Sequence, residues 1–326
     1  MNRIFLAGFL ILLPLTNSRA GDDSKAIDAK CREIAKKLSA PLRLTEANLK
    51  PLAAEPDDVR LRFLETDLFL TEPNKLFLLS HFATKDPEEP VRVAAISGLS
   101  KLGANKAATK TLTDLLSAKS GPIRLAAIVA LGSHKDPTVP VKIAKLMSDE
   151  SREVRLAAVK AIGLLNDRRQ VPTLIAAFKK DGKGDDTDHP FAESLAMLGE
   201  TKVSLGIAKI CMESRDYKAR LAAVRALELN PSMDVIPIYM KNMSYELRRT
   251  ISLDSTKRNW DQIYVTICSD MQRRIGKNFG NDAVGWHDWW ETVRAQYKAP
   301  PPAFPIETIE RWLATYLKMN PSKVGE

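Results

Sequence analysis

Histidine is the side chain best suited to acid–base chemistry and metal binding near neutral pH, and this chain has four. His81, His134 and His189 are scattered, and His287 lies among tryptophans. The sequence has no HExxH pair, no GxSxG elbow, no phosphate loop ending in GK[ST], no GxGxxG and no CxxC. The stretch DGKGDDTDH collects Asp181, Asp185, Asp186 and Asp188 beside His189, an oxygen-rich set that suits a hard cation such as calcium. Its spacing is not that of an EF-hand, and a solvated turn rich in Asp and Gly accounts for it as well. From these patterns we expect no catalytic residue, no resident metal and no cofactor.

Two other groups suit recognition. Trp286, Trp289 and Trp290, within FGNDAVGWHDWWETVRAQY, fall with Val293 at i, i+3, i+4 and i+7, one apolar helical side. Such a side either packs as a cap on the preceding structure or offers an aromatic platform to a sugar ring or a partner's side chain. Lysines also recur: Lys106 and Lys110, Lys142 and Lys145, Lys179 and Lys180, and Lys209. What these residues do depends on the elements that carry them.

Those elements repeat. PVRVAAISGLSKLG ending at Gly103, PIRLAAIVALG at Gly132, EVRLAAVKAIG at Gly163 and KARLAAVRALE at Glu228 are copies of one unit. Their arginines, Arg92, Arg124, Arg155 and Arg220, are 32, 31 and 65 residues apart, the last spacing twice the basic period. PFAESLAMLG, ending at Gly199, fills the gap in degenerate form, displaced by the acidic insertion. DVRLRF with Arg60 and ELRRTI with Arg248 are weaker flanking copies, which brings the count to seven. A stacked array needs at least about three such units to be stable.

Val154, Ala157, Ala158, Ala161, Ile162 and Leu165 fall at i, i+3, i+4, i+7, i+8 and i+11, so the third copy is an amphipathic helix with a stripe made mostly of alanine. Small side chains let a neighbouring helix approach closely. Asp86 and Asp149 precede their copies by the same offset, where a carboxylate caps free N–H groups and favours the positive end of the helix. A second helix begins at Val139-Pro140, Val171-Pro172 and Ile236-Pro237, where the missing proline donor costs nothing. These prolines are 32 and 65 residues apart, in phase with the arginines.

The pattern D....VR..AA..ALG, a short turn and VP.L.... resembles HEAT repeats of the kind first described in phycobilisome bilin lyases, over Asp57 to Thr256. The resemblance implies an all-α, right-handed α-solenoid of about seven helix pairs, with second helices on the concave face and repeated Asp and Arg residues forming a ladder between units. By the same resemblance Arg92, Arg124, Arg155 and Arg220 are structural, and the seven lysines lie on second helices, where they either form a basic groove or are simply solvated. HEAT-like iron enzymes of the deoxyhypusine hydroxylase kind use His-Glu dipeptides. Here the four histidines are followed by Phe82, Lys135, Pro190 and Asp288, so that likeness fails.

The expected organisation is a signal peptide over 1–20, a helical cap over 21–54, the array over 55–256, a tryptophan-rich cap over 257–298, a proline-rich spacer over 299–305 and an amphipathic helix with tail over 306–326. The first segment has a charged start, an apolar run from Ile4 to Leu15 and small residues before Gly21, which predicts export to the periplasm or the exterior. In the second, Ile27, Cys31, Ile34 and Leu38 share one helical side. In the last, Ile306, Ile309, Trp312, Leu313, Tyr316 and Leu317 form a stripe that docks back or is presented to a partner. No segment of the mature chain is apolar for long enough to span a membrane.

Cys31, Cys211 and Cys268 allow one bridge at most, so stability must come from burial. Loss of Arg3 and Arg19 with the signal takes the formal charge from +9 to +7, a basic balance that favours acidic partners. The expected function is a non-catalytic extracytoplasmic scaffold or adaptor that binds a protein partner, possibly an acidic one, with no nucleic acid. The rival is a carbohydrate or envelope-polymer module using the tryptophans.

Overall fold

The computed structural model describes residues 22–66, 70–103, 105–134, 136–182, 188–252 and 262–297. Among them are sixteen α-helices and no strand, and none of the helices is long and apolar enough to cross a membrane. The segments 1–20 and 299–326, with the signal, spacer and last amphipathic stripe expected there, lie outside the described residues. The chain divides after Leu165 into two compact units.

The first unit runs through α1 (Asp22–Ser39), α2 (Glu46–Ala53), α3 (Asp57–Glu65), α4 (Glu72–Lys85), α5 (Glu89–Ser100), α6 (Lys106–Asp114), α7 (Gly121–Leu131), α8 (Val139–Lys145) and α9 (Arg152–Leu165). Helices α1, α3, α5, α7 and α9 pack each against the next in one layer, while α4 and α6 pack side by side in the other. Helices α4, α6 and α8 each rest on the first helix of the following pair. This is α-solenoid stacking, and the alanine stripes make it possible. Val154, Ala157, Ala158, Ala161 and Ile162 are all buried on α9, as Ile123, Ala126, Ala127, Ala130 and Leu131 are on α7. On α1, Cys31, Ile34 and Leu38 are buried in the same way, and the Cys31 thiol points at the Val59 carbonyl of α3.

The repeated arginines tie this stack together in two directions. Within their own pairs, Arg124, Arg155 and Arg220 each donate through Nη1 to two carbonyls just upstream, at Ala118 and Lys119, Asp149 and Glu150, and Ser214 and Arg215. Between pairs, Arg60 donates to Asp86 through Nε at 2.9 Å and Nη2 at 3.1 Å, and Arg124 forks onto Asp149 with both distances 2.8 Å. Position 118, which occupies the place of Asp86 and Asp149 one period on, is alanine, and Arg92 donates instead to the Ala83 carbonyl. The two aspartates do not sit at the helix N-cap as expected. In the turn before each helix, Glu88 N–H and Ser151 N–H donate to Oδ1 of these carboxylates, which the arginine Nη2 shares while its Nε takes Oδ2.

The second unit holds α10 (Val171–Asp181), α11 (His189–Met197), α12 (Thr201–Met212), α13 (Tyr217–Leu229), α14 (Val235–Ser252), α15 (Gln262–Ile275) and α16 (Ala283–Val293). Helices α11, α13 and α15 pack in order, and so do α12, α14 and α16. The degenerate copy is therefore a full member of the stack. It ends at Gly199, where φ is +77° and an added Cβ would lie 2.5 Å from the Arg168 guanidinium. That arginine donates to the Leu198 carbonyl; the positive φ favours glycine here, and a side chain would also displace the Arg168 guanidinium.

Two expectations change here. ELRRTI, with Arg248, does not open a seventh pair, because it lies inside α14. The seventh place belongs to α15 and α16, which carry no copy of the repeat yet continue both layers, so the tryptophan-rich segment is the next member of the stack. A different polar lock fastens it. Asp270 on α15, 1% exposed, accepts from Tyr239 Oη at 2.9 Å and Arg274 Nε at 2.7 Å. Arg274 Nη2 then donates to the Leu227 and Glu228 carbonyls at the end of α13, where a cation also meets the helix's negative end.

Candidate functional site

A shallow, open groove of about 260 Å³ lies on the second-helix layer of the first unit, lined by Glu46, Phe77, Ser80, His81, Thr84, Lys85, Thr111 and Asp114. It arises because α4 turns one side away from the core. Leu78, Leu79, Phe82 and Ala83 are buried against α5, which leaves Phe77, Ser80, His81 and Thr84 on the outer side. These fall at i, i+3, i+4 and i+7, one helical face. Ser80 and Thr111 hydroxyls meet across α4 and α6 at 3.3 Å, and Phe77 remains 36% exposed at the rim. Lys85 pairs with Glu46 and Lys110 with Asp114, so the two acids facing the groove are already engaged. Burial, followed by Lys85, holds the His81 pKa below the usual imidazole value, which keeps the ring neutral at pH 7.

The seven lysines singled out from the sequence are all exposed. Lys106 and Lys110 on α6, and Lys142 and Lys145 on α8, share the outer layer of the first unit. Two of them, Lys142 and Lys106, act on one loop acid, Asp136. Its carboxyl is held below the usual range first by the Thr138 hydroxyl, then by the Thr138 N–H, and further by Lys142 and Lys106. Lys106, Lys142 and Lys145 have no hydrogen bond or ion pair among the described residues, whereas Lys110 is partly occupied by Asp114. Lys179 and Lys180 end α10, and Lys209 lies on α12, in the second unit. Four of the seven thus belong to second helices of the first unit, and Lys110 reaches the groove edge through its pair with Asp114.

Of the two arrangements open to the tryptophans, packing or an aromatic platform, two of the three side chains take the first. Trp286 and Trp290 are 0% and 1% exposed, and Trp289 is half-buried. Phe279 meets the Trp286 ring edge-on at 4.9 Å between centroids, and Trp290 packs on Tyr297 at 5.1 Å. Trp286 Nε1 donates to the Gly280 carbonyl at 3.0 Å, and Asp282 caps α16 by accepting from Val284 N–H. A Cβ at Gly285 would meet Phe279 and Asp282 at 2.9 Å. Nearly every residue of FGNDAVGWHDWW therefore serves local packing, and two of the three indoles cannot reach a sugar.

The acidic insertion gives a similar result. Asp185 and Asp186 lie outside the described residues, Asp181 ends α10, and Asp188 is buried at the start of α11. Among the described residues no group of three His, Cys, Asp or Glu side chains is arranged to hold a metal ion. Cys31, Cys211 and Cys268 are buried and unbridged, and burial pushes the Cys268 thiol up to about 12.

His134 is buried between α6 and α7. The Thr109 hydroxyl donates to the Asn105 carbonyl, so its oxygen is left to accept from His134 Nδ1–H at 2.9 Å. Nε2 has no partner among the described residues, and burial lowers the pKa from 6.5. The unfolded chain binds that proton more readily, so stability is complete above pH 6.5 and falls as pH drops toward the folded value. His134→Asn keeps a donor and cannot titrate. We expect a shallower loss of melting temperature between pH 7.5 and 5.5 than in the parent, as read by circular dichroism; equal slopes would contradict the assignment.

The family model for HEAT repeats matches residues 77–146 and 139–228, which include the groove-facing residues of α4 from Phe77 on and the seven lysines. No curated protein matches the chain.

Proposed function

Given that residues 77–228 of this chain are HEAT repeats, we propose that it is a non-catalytic scaffold that binds a protein partner through its second-helix surface and works outside the cytoplasm. HEAT arrays typically serve protein interaction, because tandem helix pairs leave one long side free once the shared core is closed. The observation that carries the reading is the outer layer of α4, α6 and α8. It combines a groove, exposed apolar side chains at Phe77 and Val141, and exposed lysines of which Lys106, Lys142 and Lys145 make no hydrogen bond or ion pair among the described residues, while the repeated arginines of the first helices are spent on the stack. The export signature of residues 1–20 supports the compartment, and the basic charge supports an acidic partner.

The test is affinity capture from the native compartment with the parent chain and with Lys142→Glu/Lys145→Glu. Both positions are exposed, so folding should be unchanged, within about 0.5 kcal/mol. Partner retention should fall roughly tenfold or more, because like charges then face each other across the interface. Equal retention by the two proteins would remove the surface from the account.

A further inference from the structure

The exposed large apolar residues divide by position. In the first unit, the first helix α9 exposes Leu164 only in its last turn, whereas the second helices α4 and α8 expose Phe77 and Val141 before theirs; in the second unit Leu229 and Ile210 both lie in last turns, of α13 and α12. Val141 is followed directly by Lys142. The surface of the first unit therefore alternates apolar and cationic points across α4, α6 and α8. Its acids Glu46 and Asp114 are paired with Lys85 and Lys110, and Asp136 bonds Thr138 and also feels the charges of Lys142 and Lys106; Lys106, Lys142 and Lys145 make no hydrogen bond or ion pair among the described residues.

We propose that the docking element of the partner is an amphipathic acidic segment, with carboxylates alternating with large apolar side chains. It crosses α4, α6 and α8 with one apolar side chain in the groove beside Phe77. This rests on the scaffold reading above and specifies its ligand. At about 260 Å³ the groove is smaller than the roughly 300–1,000 Å³ of small-molecule sites, and its size suits a single side chain. The hydroxyls of Ser80, Thr84 and Thr111 line the groove as neutral hydrogen-bonding groups, and Lys106, Lys142 and Lys145 lie farther along the layer to meet carboxylates. A polyanion without apolar groups leaves Phe77 and Val141 in water. A bilayer needs apolar side chains that project freely, and Phe77 is 36% exposed.

The experiment uses a fluorescein-labelled peptide of repeated Glu-Leu-Glu-Phe units, read by anisotropy against the full chain. A Glu-Ser-Glu-Ser peptide and vesicles of mixed phosphatidylglycerol and phosphatidylcholine serve as comparisons. The apolar acidic peptide should bind. Phe77→Ala should weaken it roughly tenfold, and so should Lys142→Glu/Lys145→Glu. Thr84→Arg, an exposed position on the groove wall, should do the same by obstruction without touching the core. Equal binding of the serine peptide, preference for vesicles, or indifference to both groove variants would overturn the proposal. If the peptide fails to bind while partner capture stays sensitive to the lysine reversal, the segment chemistry is wrong and the scaffold reading stands. Loss of that sensitivity removes the scaffold reading itself.

Discussion

Ala158→Asp should lower the melting temperature of the chain by on the order of 10 °C. Ala158 lies in the middle of α9, 0% exposed, where the first-helix layer packs against α7. An aspartate there puts a charge with no cationic partner into the closest part of the helix contact and adds volume where small side chains set the spacing. An uncompensated buried charge costs about 3–5 kcal/mol, and each kcal/mol shifts the melting temperature by roughly 2–4 °C for a domain of this size. Leu164→Asp on the same helix, at an exposed position, is the control. It should cost less than about 1 kcal/mol, mostly from the adjacent negative helix end. If the two variants melt alike, α9 does not sit in a shared core.

Arg124→Ala should cost about 3–5 kcal/mol, because it leaves Asp149 buried without its cation. It also releases the Ala118 and Lys119 carbonyls that Arg124 holds at 2.9 Å. The pH dependence separates this from simple loss of packing. Burial pushes the Asp149 pKa up, but Arg124 and then the Ser151 N–H outweigh it, so the net value lies below 3.8. In the parent, that contribution is present above the unfolded pKa and is lost as pH falls through the folded one. In the variant burial is opposed only by the Ser151 bond and the charge of Arg155, which raises the folded pKa relative to the parent. The stability gap between variant and parent should narrow as pH falls from 7 toward 4. Denaturant melts across that range decide the point, and a gap that stays constant would contradict the Arg124–Asp149 account. Arg124→Ala/Asp149→Ala should recover part of the loss, since it leaves no buried charge.

The repeated features were legible because repetition amplifies weak signals. One Arg–Ala–Ala stripe is an ordinary helix, but stripes at a fixed period, with prolines in phase, leave stacked helix pairs as the only economical reading. The same logic misplaced Arg248. Its short match falls one helix early, inside α14 and not on α15, since three or four residues of similarity do not tell a first helix from a long second one. Helices α15 and α16 were read as a cap because they lack the stripe. Their place in the layers depends on Asp270, Tyr239 and Arg274, a lock formed once and therefore silent in any search for periodicity. The tryptophans illustrate a different limit. Spacing showed that Trp286 and Trp290 share a face but could not say that Phe279, Gly280 and Tyr297 close over it.

At the site, the lysines were legible as a recurring type and the groove was not. Phe77, Ser80, His81 and Thr84 do occupy one face of a helix, a signal present in the sequence. That face is polar except for one ring, and such a face ordinarily meets solvent. Only the neighbouring Thr111 and Asp114 of α6, brought alongside by stacking, turn it into a concavity.

Hydrogen–deuterium exchange of the full chain, free and bound to the partner recovered by capture, tests the central claim most directly. Protection on binding should concentrate in α4, α6 and α8 of the first unit, with α5, α7 and α9 unchanged. Protection centred on first helices, or on the tryptophan-bearing α16 alone, would contradict an account in which the outer second helices carry the function.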